Sequence, residues 1–296
     1  MAQLSVMGNL RSLFGKSPRL PTFQILSDLH LEVSSQYYTF DIPPSAPYLI
    51  LAGDIGRLVD YDAYLAFLAK QAAQFEKVFL VLGNHEFYGL SFPAALKEAQ
   101  RLEKEAILNG KLVLCHQKHS VIEIGNSQII VLGCTLWSKI NDDARDAVEA
   151  RVKDFKNIDS WSIDDHNAAH TADLEWLSNQ VARIQTQNKS RAMGEPERNI
   201  LIITHHAPSL EGTSSLKNAN NPWSSAFATD VLGGSGLNLE NVKVWVFGHT
   251  HFTTDFERNG IRILSNQRGY VLPGGREEKN EKDAKVAFDP KKTFGI

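Results

Sequence analysis

Short apolar runs recur along the chain at residues 23–26, 48–52, 78–82, 111–114, 128–132, 200–204, 242–247 and 261–264. Their length, their β-branched content and the Gly, Asp or Asn that follows many of them predict buried strands rather than helical turns. Two amphipathic patterns lie between them. Over 62–75, Leu65, Leu68, Ala72 and Phe75 share one helical face, and over 92–108, Leu96, Ala99, Leu102 and Ala106 do the same. Ser91 stands where it can cap the second helix, with Pro93 in its first turn. Strands alternating with helices predict an α/β layered architecture. After residue 112 the strand runs crowd together, so the sheets are expected to be mixed rather than purely parallel.

Residues 138–198 carry helical patterns and few strand signals, including a stripe of Leu174, Leu177, Val181 and Ile184 within 164–187. A second irregular stretch, 209–241, is rich in Ser, Asn and Gly, and connections of that length are often functional. The expected organisation is a flexible extension over 1–22, one catalytic domain over 23–273 with a helical insertion at about 138–198, and a polar tail over 274–296. The tail alternates Glu, Lys and Asp with little to bury, the composition of a solvated end. Residues 1–22 contain Arg11, Lys16 and Arg19 and no acid, which also resembles a mitochondrial presequence.

Composition narrows this picture. With 296 residues of which 43% are hydrophobic, the chain can bury one large core. A net charge of −3 speaks against a nucleic-acid partner, which usually demands a basic excess. No apolar stretch reaches the roughly 18 to 20 residues of a membrane span, and the start lacks the apolar region of a secretory signal. A soluble, cytoplasmic protein without a membrane partner is therefore expected. Cys115 and Cys134 lie in or beside apolar runs and read as buried thiols.

Candidate chemistry sits at the ends of the strand runs: Asp28-Leu29-His30, Gly53-Asp54, Gly83-Asn84-His85-Glu86, Thr204-His205-His206 and Gly248-His249-Thr250-His251. Strand ends of an open α/β sheet form a common rim where ligands bind. An Asp or His there is individually weak evidence. Together, two Asp, one Asn and at least four His make a mixed oxygen and nitrogen donor set suited to Mn, Fe or Zn, with Mg or Ni also admitted. The donors are too many for one tetrahedral ion, and a carboxylate can bridge two, so two transition-metal ions are expected.

These five motifs, in this order, resemble the calcineurin-like metallophosphoesterase superfamily. The resemblance implies a four-layer αββα sandwich of two mixed β-sheets with a dimetal site at the sheet edge. It further implies that Asp28, His30 and His251 hold one ion, that Asn84, His205 and His249 hold the other, and that Asp54 bridges them. His85 becomes a catalytic residue that binds no metal, and the run His205-His206-Ala207-Pro208 favours His205 over His206 as ligand. The implied reaction is hydrolysis of a small or medium phosphomonoester or phosphodiester, with a metal-bridging hydroxide attacking phosphorus in line and His85 assisting. A protein Ser/Thr phosphatase is an alternative, although Gly53-Asp54-Ile55-Gly56-Arg57 departs from the G-D-x-x-D-R-G pattern of that branch. A nuclease and a non-catalytic scaffold are further alternatives; the scaffold reading sits poorly with a motif set that lacks no ligand.

Arg57 could fork onto a substrate phosphate or form a structural salt bridge. His206 and Trp223 are further candidates for the substrate side, and Trp223 could equally pack a loop down. Glu86 could orient a ligand histidine or lie solvated. His166 and His170 share a helix face at zinc-protease spacing but lack the accompanying Glu, so a solvated or cap-lining face is expected. His116 and His119 read as surface residues.

Overall fold

A computed structural model describes residues 20–124, 127–219, 221–234, 237–272 and 287–296. Residues 1–19 of the expected flexible extension 1–22 and most of the polar tail fall outside the described residues, and Thr22, within that extension, already opens a strand. In chain order the strands are β1 (Thr22–Leu26), β2 (Tyr48–Ala52), β3 (Lys77–Val81), β4 (Leu112–Leu114), β5 (Lys118–Ile124), β6 (Ser127–Gly133), β7 (Asn199–Ile203), β8 (Val242–Val246), β9 (Asp255–Arg258), β10 (Ile261–Leu264) and β11 (Thr293–Gly295). The helices that matter for the site are α1 (Tyr61–Gln74), α2 (Phe92–Glu103), α3 (Arg145–Arg151), α4 (Asp154–Asn157) and α5 (Ile163–Lys189).

The strands form a five-stranded sheet, order β11-β1-β2-β3-β4, and a six-stranded sheet, order β5-β6-β7-β8-β10-β9. β1 to β4 run parallel and so do β6, β7, β8 and β10, while β11, β5 and β9 are antiparallel edges. Both sheets are mixed, and together with their helices they form the α/β sandwich that the motifs implied.

Alternation along the strands explains the layering. In β2, Leu49 and Leu51 face a core shared with Phe67 and Leu68 of α1 and Ala99 and Leu102 of α2. Ile50 and Ala52 face the other way, into a core shared with Val131, Leu201, Val244 and Val246 of the second sheet. The far face of that sheet packs Ile200, Ile202 and Trp245 against Leu177, Val181 and Ile184 of α5. Every central strand is thus covered on both faces, which is why its sequence is almost continuously apolar.

Three expectations change. The segment 138–198 is a crossover rather than an insertion, because β6 and β7 are parallel neighbours and a parallel pair needs a long return path, here capped by α5. Ser162 starts α5 with a capping box, its side chain accepting from Asp165 N. Ser91 does precede α2, with Pro in the first turn, but its side chain makes no capping hydrogen bond. The end of the polar tail returns to the fold: Thr293–Gly295 pairs with β1, and Phe294 is buried and stacks on Phe23 at 5.4 Å. Two apolar residues in a charged stretch, Phe288 and Phe294, supply the burial that the average composition hid. Among the described residues no helix is long and apolar enough to cross a membrane.

Candidate metal centre

All five motifs follow the C-terminal ends of parallel strands: Asp28 and His30 after β1, Asp54 after β2, Asn84 and His85 after β3, His205 after β7, His249 and His251 after β8. The two sheets bring these ends to one edge. His205 Nδ1–H donates across to the Ala52 carbonyl (2.9 Å), and the His249 amide donates to Asp28 Oδ1 (2.9 Å). Close approach explains two glycines. A Cβ on Gly53 would lie 2.3 Å from His205 Nδ1, and one on Gly83 would lie 2.2 Å from Asp54 Oδ1. Asp28, His30, Asp54, His249 and His251 all adopt positive φ, between 46° and 73°, a costly conformation that clusters where function constrains the backbone.

The donor atoms gather in two groups. One ligand atom each from Asp28, His30 and His251 lie within 4.8 Å of one another, and so do those of Asp54, His205 and His249. Asp54 faces both, with Oδ1 3.3 Å from His205 Nε2 and Oδ2 3.9 Å from His30 Nε2. Asn84 Oδ1 lies 3.1 Å from His205 Nε2.

These contacts test whether a cation fits. His205 gives its Nδ1 proton to Ala52 O, and its Nε2 faces two oxygens, Asp54 Oδ1 and Asn84 Oδ1, where a cation could take the place of a second proton. His30 and His251 likewise bring Nε2 to within 2.9 Å of Nε2. Lone pairs converging on a common point, in a buried pocket, suit a shared positive centre. Burial lowers His30, His249 and His251, the last to about 3, so each imidazole is neutral and able to ligate. Burial also pushes against charge on His205, but the facing Asp54 and Asp28 outweigh it and raise that imidazole to about 9. The same field that attracts a proton there attracts a metal ion.

Three residues that the motif reading left out shape the centre. Asp154 Oδ1 accepts from Asn84 Nδ2 (2.8 Å) and from Tyr88 Oη (2.7 Å), which turns Asn84 Oδ1 toward His205. Glu32 Oε1 accepts from His85 Nδ1–H (2.8 Å) and faces His30 Nδ1 (3.3 Å). Tyr270 Oη shares a hydrogen bond with His85 Nε2 (3.0 Å), and its ring stacks on His30 at 4.1 Å. Glu32 had a signal in the sequence, standing two residues beyond His30; Asp154 and Tyr270 had none. An Asp154→Ala substitution is expected to weaken binding of the ion nearest Asn84 about ten-fold or more, as loss of groups that orient ligands typically does. Asp154→Asn, which keeps the accepting oxygen, should restore it, and metal titration distinguishes the two.

Other candidates are placed differently. Arg57 forks onto Asp60 (Nε to Oδ2 and Nη2 to Oδ1, each 3.1 Å) and does not line the cleft, so its guanidinium is held in an ion pair away from the donors. His206 is fully buried, stacked on His249 at 4.1 Å and accepting from Ser138 N at Nδ1, and it does not line the cleft. Trp223 lines a separate slot of about 150 Å³ beside the metal cleft, under Arg151. Glu86 touches no histidine: fully buried, it accepts from Gly83 N, Asp54 N, Ile55 N and Tyr64 Oη at 2.7 to 2.9 Å, tying two motif loops together. His166 and His170 are buried rather than solvated, against Trp137. His119 is exposed and His116 half-buried, and both cysteines are free and buried.

The profile of the calcineurin-like phosphoesterase family matches residues 21–252. An uncharacterized protein of Acanthamoeba polyphaga mimivirus is 29% identical over 276 residues, covering 83% of this chain and 90% of that protein. Among solved structures, a phosphopantetheinyl hydrolase from Mycobacterium tuberculosis superposes with a TM-score of 0.60 at 17% identity, covering 86% of this chain and 91% of that one. A dimetal phosphatase from Danio rerio gives 0.46 at 14% identity, covering 84% and 87%. With the family's motifs matched across most of its length, the chain belongs to the calcineurin-like phosphoesterase family.

Proposed function

We propose that this protein is a two-metal hydrolase of phosphomonoesters or phosphodiesters. Asp28, His30 and His251 hold one ion, Asn84, His205 and His249 the other, and Asp54 both. The observation that carries the reading is the convergence of donor atoms into two adjacent groups, Asp28, His30 and His251 in one and Asp54, His205 and His249 in the other, each within 4.8 Å, with Asp54 facing both. Bound ions would lower the pKa of a coordinated water and offset charge on the phosphoryl oxygens. Mostly neutral donors keep them electrophilic toward an anionic substrate.

His85 adds what the ions do not. Glu32 fixes its ring through Nδ1, so Nε2 points at the cleft, where Tyr270 Oη now meets it. From there it can give a proton to a leaving alkoxide or steady charge on the phosphoryl group.

The test is a panel of aryl and alkyl phosphomonoesters, phosphodiesters, cyclic nucleotides, a phosphoserine peptide and DNA, offered to the protein loaded in turn with Mn, Fe and Zn. Turnover of a small ester that stops on chelation and returns with metal is expected. Turnover of the peptide alone would move the reading to a protein phosphatase, and two bound ions with no turnover of any ester would leave a scaffold.

A further inference from the structure

We propose that Arg151 and Lys153 form a second anion subsite in the metal cleft, so that the preferred substrate is a phosphoester bearing a further anionic group. This deepens the phosphoesterase reading and rests on it for the word substrate.

The cleft has a volume of about 680 Å³, well beyond what one phosphoryl group occupies. Asp54, Asn84, His249 and His251 lie on its wall, and so do Arg151, at the end of α3, and Lys153, at the start of α4. Both cations are exposed. Among the described residues neither side chain has a hydrogen bond or an ion pair, and Arg151 makes only a distant approach to the Trp223 ring (5.5 Å). The third cation of the wall, Arg268, is committed elsewhere: it donates to Leu29 O and Gln36 Oε1 and sits over Phe40 at 4.4 Å.

Unpaired surface cations are common, and what distinguishes these is how they are held. Val152, between them, is buried in a cluster with Val148 and Ile163, which pins the backbone. The next residue, Asp154, binds the Asn84 amide at 2.8 Å. The two positive side chains are therefore set in register with a metal ligand while their heads stay free in the same cavity. An anion placed there needs no displacement of an existing partner, and a guanidinium and an ammonium give it charge-assisted hydrogen bonds.

Binding can be read without turnover, by calorimetry on the metal-loaded full chain with propylphosphonate, 3-phosphonopropionate and propane-1,3-bisphosphonate. The wild type is expected to prefer the two probes that carry a second anionic group. Arg151→Gln with Lys153→Gln should lower their affinity about ten-fold or more, the order that hydrogen bonds to charged groups supply, while propylphosphonate binding and metal content stay unchanged. A preference for the bisphosphonate alone assigns the subsite to a second phosphate, and a preference for both assigns it to anions generally. No preference in the wild type, or equal losses for all three probes, would overturn the proposal. A protein that keeps the preference yet hydrolyses no ester would sink the phosphoesterase reading and leave the subsite standing.

Discussion

The Asp54→Ala protein is expected to retain no more than one metal ion where the wild type takes up two, and to lose activity more completely than a protein that lacks only the His85 imidazole. Asp54 faces both donor groups, at 3.3 Å from His205 Nε2 and 3.9 Å from His30 Nε2. It also accepts the His85 amide at 2.9 Å, so its removal loosens the loop that carries both Asn84 and His85. Burial works against its ionisation, but the neighbouring His205 and His85 outweigh this and hold it well below the usual carboxylate range, so it would offer negative charge to an ion on either side. A two-metal mechanism needs the ions close enough to act on one phosphoryl group. Elemental analysis of the reconstituted variant checks this, and two ions bound at wild-type affinity would show that Asp54 does not bridge.

A folded His85→Ala protein is expected to keep both ions and lose activity by about 10² to 10⁴, the range that general acid catalysis spans. Burial would lower the His85 pKa, but Asp54 and Glu32 outweigh it and raise the imidazole to about 9. That value belongs to the metal-free protein; with ions bound, the Asp54 charge is offset and Glu32, bonded to Nδ1, is the group that still favours a proton on the ring. The loss should shrink for nitrophenyl esters, whose anion departs unaided, if proton donation is the role. Equal losses for good and poor leaving groups would point to charge stabilisation instead. Metal lost together with activity would mean that His85 only buttresses the strand end, and retained activity would refute its catalytic part.

How far the sequence could be read varied with the kind of interaction. The α1 and α2 patterns were legible because one face of each meets a single sheet, and such a face repeats with the helical period. The role of α5 was not, although its apolar stripe was visible, because an insertion and a crossover look alike until the pairing of β6 with β7 is known. The return of residues 293–295 was hidden for a related reason: a three-residue edge strand in a charged region is recruited by β1, and pairing across so long a separation leaves no local mark. The salt bridge offered for Arg57 was legible because its partner Asp60 stands only three positions along the chain. Asp154 could not, standing 70 residues from the Asn84 amide that it orients.

The sequence by itself determined the strand-and-helix alternation and the family, since these depend on local periodicity and on short motifs in a fixed order along one chain. The same motifs named the donor types that gather at the sheet edge. The tertiary structure decided what orients those donors and what the cleft offers beyond them. Glu32 against His85, Asp154 against Asn84 and Glu86 between two loops are contacts between segments that only the tertiary fold brings together, and the same fold places Arg151 and Lys153 on the wall of the cleft. A hydrogen bond depends on distance and direction in space, and spacing along the chain encodes neither once the partners lie on different elements.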